Sequence, residues 1–155
     1  MTKPILEWLD TQQDNMLKLL GELVNIDSNS YDKAGVDRVA ERLANFFDEQ
    51  AISHETIPIP THGDAMRAVV AGGNGNRPIL LCGHRDTVFP TGEVKKRPFE
   101  VCDGHAYGPG VADMKPGLVI NAFILAAFQK FGGHPNPLVG LFTGDEEIGS
   151  PASQS

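Results

Sequence analysis

Cysteine is scarce in this sequence: Cys82 and Cys102 are the only two in 155 residues. They form no CxxC pair, and two thiols in a chain of this length are far too few for a disulfide framework. We therefore predict two reduced cysteines, one of them packed in the core as a small hydrophobic residue.

Long apolar runs and basic runs are also missing. No stretch approaches about 20 apolar residues, and the first ten positions mix Lys3, Glu7 and Asp10 with apolar residues, which is unlike the core of a secretion signal. The formal net charge is -7, with 20 acidic against 13 basic residues and no Lys/Arg cluster. This composition argues against a membrane protein and against a nucleic-acid-binding protein, and it predicts a soluble, cytoplasmic chain.

The order of apolar patterns predicts an α/β fold. Apolar residues at helical spacing predict one helix over about the first 25 residues, with Pro4 at its start, and a second helix capped by Asp32. Strand patterns follow at residues 52–57, 68–71 and 78–82, the last predicted to be buried. Residues 118–131 predict a buried helix that begins at Pro116, and residues 138–142 a further strand.

A glycine cluster at residues 72–75 raises the alternative of a nucleotide-binding α/β domain. In a dinucleotide-binding loop a third glycine follows and a helix comes next, whereas this chain has Pro78 and then a strand. We therefore expect a turn here and no phosphate-binding loop.

Residues suited to metal chemistry stand where predicted strands and turns end, in "PILLCGHRDTV", "YGPGVADMKPG" and "LFTGDEEIGS". His84 follows a strand, and Asp86 is close enough in sequence to accept the second imidazole N–H and orient the ring. Asp113 lies in a glycine-rich turn, and one carboxylate can bridge two cations. Glu146 and Glu147 can divide two tasks, one binding metal while the other takes a proton from water.

Each motif has a plainer explanation when taken alone. A histidine at the end of a strand is commonly a hydrogen-bonded structural residue, and GPG is commonly a turn. The DEE segment could be a solvated helix start, with Asp145 as the cap and the glutamates favoured by the helix dipole. The three motifs together are much more specific than any one of them, because all follow strand or turn signals.

The segments "GHRDTVFPTGEV", "YGPGVADMKPG" and "GDEEIGSPAS" closely resemble the two-zinc family of glutamate carboxypeptidase, aminoacylase, acetylornithine deacetylase and succinyl-diaminopimelate desuccinylase. Among the branches of this family, the motifs most closely resemble those of glutamate carboxypeptidase. The resemblance implies a mixed sheet with flanking helices and two zinc ions, or cobalt or manganese in their place. It makes His84 and Glu147 ligands of different ions, Asp113 the bridge, Glu146 the general base and Asp86 the residue that orients His84. The implied substrate is a small peptide or an N-acyl amino acid.

Two departures from the family pattern stand out. Pro116 occupies a position where the family usually has glycine, which restricts Lys115 and the turn before it. The family also supplies a further acidic ligand, a distant histidine and a lid or dimerisation domain, none of which we find in residues 1–155.

We therefore expect a truncated N-terminal portion of a catalytic domain, in which each zinc has two protein ligands where a catalytic zinc normally has three. Homodimerisation is expected only with the missing domain. The alternative to a hydrolase is an inactive remnant, or a fragment that works only with a partner chain and binds metal weakly.

Overall fold

The structure is a computed structural model that describes residues 2–75, 77–132 and 134–154. Within these ranges the helices are α1 (Thr2–Asp10), α2 (Gln13–Val24), α3 (Lys33–Glu49), α4 (Glu93–Lys96), α5 (Lys115–Phe131) and a 3-10 turn (Glu146–Ile148). The strands are β1 (Ser53–Ile57), β2 (Ala65–Val70), β3 (Ile79–His84), β4 (Glu100–Cys102), β5 (His105–Tyr107) and β6 (Leu138–Thr143). None of the helices in the described ranges has the length and apolar character to cross a membrane.

The N-terminal helical region is broken, so the prediction of one continuous helix is wrong. The backbone N–H groups of Thr11 and Gln12 bond to the carbonyls of Trp8 and Leu9, three residues back, instead of continuing the α-helical pattern. The Thr11 hydroxyl also donates to the Trp8 carbonyl at 2.6 Å, and a side chain that competes for backbone groups in this way favours a turn. The turn lets α1 pack separately, with the Trp8 ring 6.3 Å from that of Phe123.

The predicted cap of α3 is confirmed. Asp32 lies directly before the helix, and its Oδ1 accepts a hydrogen bond from the Gly35 N–H at 3.0 Å. Gly35 is required there by space, because a Cβ would lie 2.3 Å from the carbonyl oxygen of Asp27.

The α/β class and the mixed sheet are confirmed. Four strands pair in the order β1-β2-β6-β3, with β2 antiparallel to both of its neighbours and β3 parallel to β6. The glycines of residues 72–75 precede β3, as a turn should, and the Gly73 and Gly75 N–H groups donate to the His134 and Pro135 carbonyls. The small sheet of β4 and β5, paired with each other, and the short helix α4 are elements that the apolar patterns did not predict.

The core lies between α2, α3, α5 and one face of the four-stranded sheet. Met66, Ala68 and Phe142 point from the sheet into it and are buried. Gly140 faces the same side, since a Cβ there would lie 2.9 Å from the Cδ1 of Leu125 in α5. One face of the sheet therefore packs directly on the helical layer.

The opposite face of the sheet is open around β3, so the prediction of a buried strand at residues 78–82 is wrong. Gly83 faces α5, and side chains alternate along a strand, so Leu80 and Cys82 point away from the helices. Leu80 is 52% exposed and Cys82 is exposed. Both cysteines are free, as predicted, but Cys102 is exposed as well, which contradicts the prediction that one is a core residue.

Helix α5 begins with Pro116 and Gly117 in its first turn, as predicted, but it is not buried all round. Ile120 is 56% exposed although it belongs to the apolar run. A helix that packs on the sheet through one side leaves such a residue in solvent.

Candidate metal centre

The parallel pairing of β3 and β6 brings two of the three motifs to one edge of the sheet. His84, the last residue of β3, pairs with Thr143, the last residue of β6. The Arg85 N–H then donates to the Thr143 carbonyl at 2.9 Å, so the chains stay together beyond the strands. Glu146 and Glu147 follow within one turn of 3-10 helix and therefore lie beside His84.

The third motif reaches this edge through a glycine turn. Gly108 and Gly110 have φ of 140° and 78°, which agrees with the sharp bend predicted from the sequence. A Cβ on Gly110 would lie 2.9 Å from the Cγ2 of Thr87, so glycine also allows this close approach. The turn ends with a cis peptide bond between Asp113 and Met114.

His84, Asp113 and Glu147 converge in space. One ligand atom from each, an imidazole nitrogen and two carboxylate oxygens, lie within 4.8 Å of one another. The Nε2 of His84 is 3.1 Å from the Oδ1 of Asp113. Ligand atoms around a zinc ion at about 2.1 Å lie about 3.5 Å apart, and the distance between His84 and Asp113 is close to this spacing. Nitrogen and oxygen donors of this kind fit zinc, cobalt or manganese.

Asp86 is the most connected side chain behind this cluster, and it is fully buried. Its carboxylate accepts hydrogen bonds from the Ser30 hydroxyl at 2.7 Å and from the N–H groups of Glu146 and Glu147 at 3.2 and 3.1 Å. Its Oδ1 also lies 3.3 Å from the Nδ1 of His84. The same Nδ1 lies 3.1 Å from the backbone carbonyl oxygen of Asp86. One buried carboxylate thus contacts the His84 ring and accepts hydrogen bonds from the backbone N–H groups of Glu146 and Glu147.

Glu146 stands at the open side of the cluster. Its side chain is 55% exposed, and its Oε2 is 3.6 Å from the Nε2 of His84. Glu147 is less exposed and belongs to the ligand group. The two adjacent glutamates therefore sit in different surroundings, one accessible to water and one turned toward the candidate ligands.

The cluster shifts the pKa values of its own members. Burial alone would lower the pKa of His84, but Asp86, Asp113 and Glu146 outweigh it and raise that pKa to about 9. Burial would raise the pKa of Asp86, but hydrogen bonds from His84, Ser30 and the two glutamate amides hold it below its ordinary value. Burial and the surrounding carboxylates raise the pKa of Glu147. Excess negative charge at one point is the electrostatic setting of a cation site.

The alternative explanation of the DEE segment, a solvated helix start capped by Asp145, does not fit the geometry. Asp145 is fully buried and makes no cap to the 3-10 turn. It accepts hydrogen bonds from the Ala152 N–H at 2.8 Å, and from the N–H and hydroxyl of Ser153. Asp145 therefore folds the segment after the glutamates back against the end of β6.

Several residues that support the cluster were not singled out from the sequence. Ser30 bonds to Asp86, and the buried Lys115 donates to the Ile26 carbonyl at 2.8 Å. Arg85 is also fully buried and donates to the carbonyls of Val36, at 3.1 Å, and Asp64. Their partners are 21 to 89 positions away in sequence, so no local pattern could have revealed them.

A cavity of about 240 Å³ borders His84 and Glu146. Its remaining walls are mainly apolar and come from the ends of β3 and β6 and from the residue before α5: Cys82, Gly83, Met114, Leu141 and Thr143. The cavity therefore adjoins the candidate metal centre on the side of His84 and Glu146.

Known proteins share both the sequence pattern and the fold. Carboxypeptidase G2 of Pseudomonas sp. (strain RS-16) is 31% identical over 150 residues, which are 92% of this chain and 35% of that protein. Acetylornithine deacetylase of Proteus mirabilis is 34% identical over 140 residues, which are 84% of this chain and 35% of that protein. The crystal structure of human carnosine dipeptidase 1 superposes with a TM-score of 0.81 at 19% identity, over 98% of this chain and 36% of that one.

The chain thus spans only about a third of the length of these relatives. Residues 80–155, which carry the three motifs, match the model of Peptidase family M20/M25/M40. The resemblance drawn from the motifs is confirmed: residues 80–155 match the model of this peptidase family, and the chain is similar in sequence to the carboxypeptidase and the deacetylase.

Proposed function

We propose that this chain forms part of the active site of a metal-dependent hydrolase that cleaves an amide bond in a small peptide or an N-acyl amino acid. The observation that carries the proposal is the meeting of His84, Asp113 and Glu147 beside a second, accessible glutamate. The names of the relatives, a carboxypeptidase, a deacetylase and a dipeptidase, support the same reaction class.

The residues that would hold the metal are His84, Asp113 and Glu147. Their donor set suits zinc, with Asp113 in the bridging position if two ions bind, and cobalt or manganese are the alternatives. The chemistry that zinc supplies in such a site is Lewis acidity, which polarises an amide carbonyl and lowers the pKa of water.

Glu146 is the proposed general base. Its exposed carboxylate takes a proton from the attacking water and returns it to the nitrogen of the leaving amine. Glu147 is less suited to this role, because a carboxylate bound to a cation takes up a proton poorly. Asp86 holds the Nδ1 side of His84, so that Nε2 faces the metal position.

The decisive experiment compares Glu146→Gln with Glu147→Gln in the form of the protein that contains these residues and hydrolyses amides. We expect Glu146→Gln to lose at least about a hundredfold in kcat on dipeptides or N-acyl amino acids while keeping its zinc content. Glu147→Gln should lose zinc as well as activity. Unchanged turnover in Glu146→Gln, or full zinc content in Glu147→Gln, would contradict these roles.

A second candidate is a fragment that binds metal weakly and works only with a partner chain, or a remnant without activity. The exposed side chains of β3, Ile79 and Leu80, favour it, because parallel strands are normally covered on both faces. We propose that residues 1–155 correspond to the N-terminal part of the catalytic domain; cytoplasmic location and dimerisation remain predictions.

Zinc titration of residues 1–155, together with an amide hydrolysis assay, separates the two candidates. Weak zinc binding without hydrolysis favours the fragment. Binding of two zinc ions with amide cleavage would overturn it.

A further inference from the structure

Residues 26–30, between α2 and α3, form hydrogen bonds with the segments that carry His84 and Asp113, although they supply no proposed ligand themselves. The Ile26 carbonyl accepts from the Nζ of Lys115, two residues after Asp113. The Ser28 carbonyl accepts from the Thr87 N–H at 2.8 Å, three residues after His84. The Ser30 hydroxyl donates to Asp86 at 2.7 Å.

The Ser30 contact differs from the others because it is made to a carboxylate that itself holds the cluster. Ser30 is 2% exposed and Asp86 is fully buried, so water does not compete for the bond. The same Oδ2 that accepts from Ser30 also accepts from the Glu147 N–H, while Oδ1 accepts from the Glu146 N–H and faces His84.

We propose that Ser30 is a positioning residue for the candidate metal centre: by fixing the rotation of the Asp86 carboxylate, it sets the orientation of His84 and of the Glu146–Glu147 turn. The role in metal binding rests on the proposed function. The positioning itself is a property of the metal-free chain.

The physical reason is the number of donors around each oxygen. Without the hydroxyl, Oδ2 keeps only the Glu147 amide, and the carboxylate can rotate to recover a better arrangement. Any such rotation moves Oδ1 relative to His84 and the Glu146 N–H. Loss of the supporting partners of metal ligands commonly costs 10- to 100-fold in metal affinity, and Ser30 is one contact further away, so we expect about tenfold.

Ser28 offers a matched control in the same segment. It is 1% exposed, and its hydroxyl has no hydrogen-bond partner within the part of the chain that the structure describes. Ser28→Ala therefore removes the same atom from an equally buried position without removing a bond to the cluster.

The experiment begins with the metal-free chain. In ¹H–¹⁵N NMR spectra, we expect Ser30→Ala to shift the amide signals of Glu146 and Glu147 and the ring ¹⁵N signals of His84. Ser28→Ala should leave all of these signals at the positions seen in the unmodified chain. Ser30→Thr keeps the hydroxyl, so its signals should also stay close to those positions. If Ser30→Ala does not fold, Ser30→Cys, with its weaker donor, provides the same comparison.

Zinc titration by calorimetry then tests the consequence for metal binding. We expect Ser30→Ala to bind about tenfold more weakly than Ser28→Ala and Ser30→Thr. NMR signals of Ser30→Ala at their original positions, or shifts equal to those of Ser28→Ala, would overturn the positioning role. Equal zinc affinities despite shifted signals would overturn its link to the metal. Absence of zinc binding by the unmodified protein would contradict the proposed function instead.

Discussion

Asp86 and Asp113 both contact the imidazole of His84, yet they occupy opposite environments. Asp86 lies behind the ring, fully buried, with Ser30 and two backbone amides bound to it. The Asp113 side chain lies in front, 74% exposed, and among the described residues its hydrogen bond is to the ring. The rear carboxylate is fixed by the fold, while the front carboxylate is free to adjust.

This difference separates stability from ligand binding within one site. A buried acceptor with several donors contributes to folding, because its removal leaves those donors unpaired. An exposed carboxylate in a negatively charged cluster contributes little to folding and is available to a cation. The rear of the site should therefore respond to mutation through stability, and the front through metal affinity.

The largest expected effect comes from removing the rear carboxylate. Asp86→Ala leaves the Ser30 hydroxyl, two amides and a charged His84 without their acceptor, so we expect a loss of about 3–5 kcal/mol in the free energy of unfolding. Urea denaturation followed by circular dichroism measures it. The matched control is Asp113→Ala, which should change stability by less than about 0.5 kcal/mol. Equal losses in the two variants would end the distinction between rear and front.

The next effect concerns protons on His84. Its pKa of about 9 means that the ring is charged at pH 7 in the metal-free chain and must release a proton to bind metal. Apparent zinc affinity should therefore rise by nearly tenfold from pH 7 to pH 8 and more slowly above that, about fiftyfold in total by pH 9. The interaction of charged His84 with its carboxylates affects folding stability in the opposite direction. Because the His84 pKa in the folded chain lies above the ordinary 6.5, this interaction contributes fully to stability below pH 6.5. The contribution disappears as the pH rises through about 9.

NMR titration of the His84 ring sharpens this comparison. Asp86 contributes more to the raised pKa than Asp113 does, so Asp86→Asn should lower the pKa further than Asp113→Asn. The reverse order would show that the exposed carboxylate is the stronger partner. Zinc affinity that is independent of pH from 7 to 9 would contradict the raised pKa.

Sequence patterns could predict the candidate ligands because their positions follow from strand ends. His84 ends β3, the two glutamates follow the end of the neighbouring parallel strand β6, and Gly108 and Gly110 mark the turn before Asp113. The supporting contacts could not be predicted in this way. Ser30 is 56 positions from Asp86, and a serine in a loop carries no signal of a buried partner.

The solvent exposure of β3 also could not be predicted from the apolar pattern. The run from Ile79 to Cys82 reads the same whether a strand is covered on one face or on both, since the pattern contains no information about the second layer. The break between α1 and α2 has a similar origin. Apolar residues keep their helical spacing across Thr11, but the packing of Trp8 on Phe123 and Phe131 belongs to tertiary structure.

The smallest effect tests how the front carboxylate reaches the site. Gly110→Ala combines a positive φ with a Cβ only 2.9 Å from the Cγ2 of Thr87, whereas Gly92, with φ of 95°, has no atom within 4 Å of the added Cβ. Gly92→Ala should therefore cost about 1 kcal/mol from backbone strain alone, and Gly110→Ala about 1 kcal/mol more. Because the extra cost falls on the turn that carries Asp113, Gly110→Ala should also weaken zinc binding, while Gly92→Ala should not. If both variants bind zinc like the unmodified chain, the turn tolerates displacement, and Asp113 reaches the metal through its own side-chain freedom rather than through the backbone.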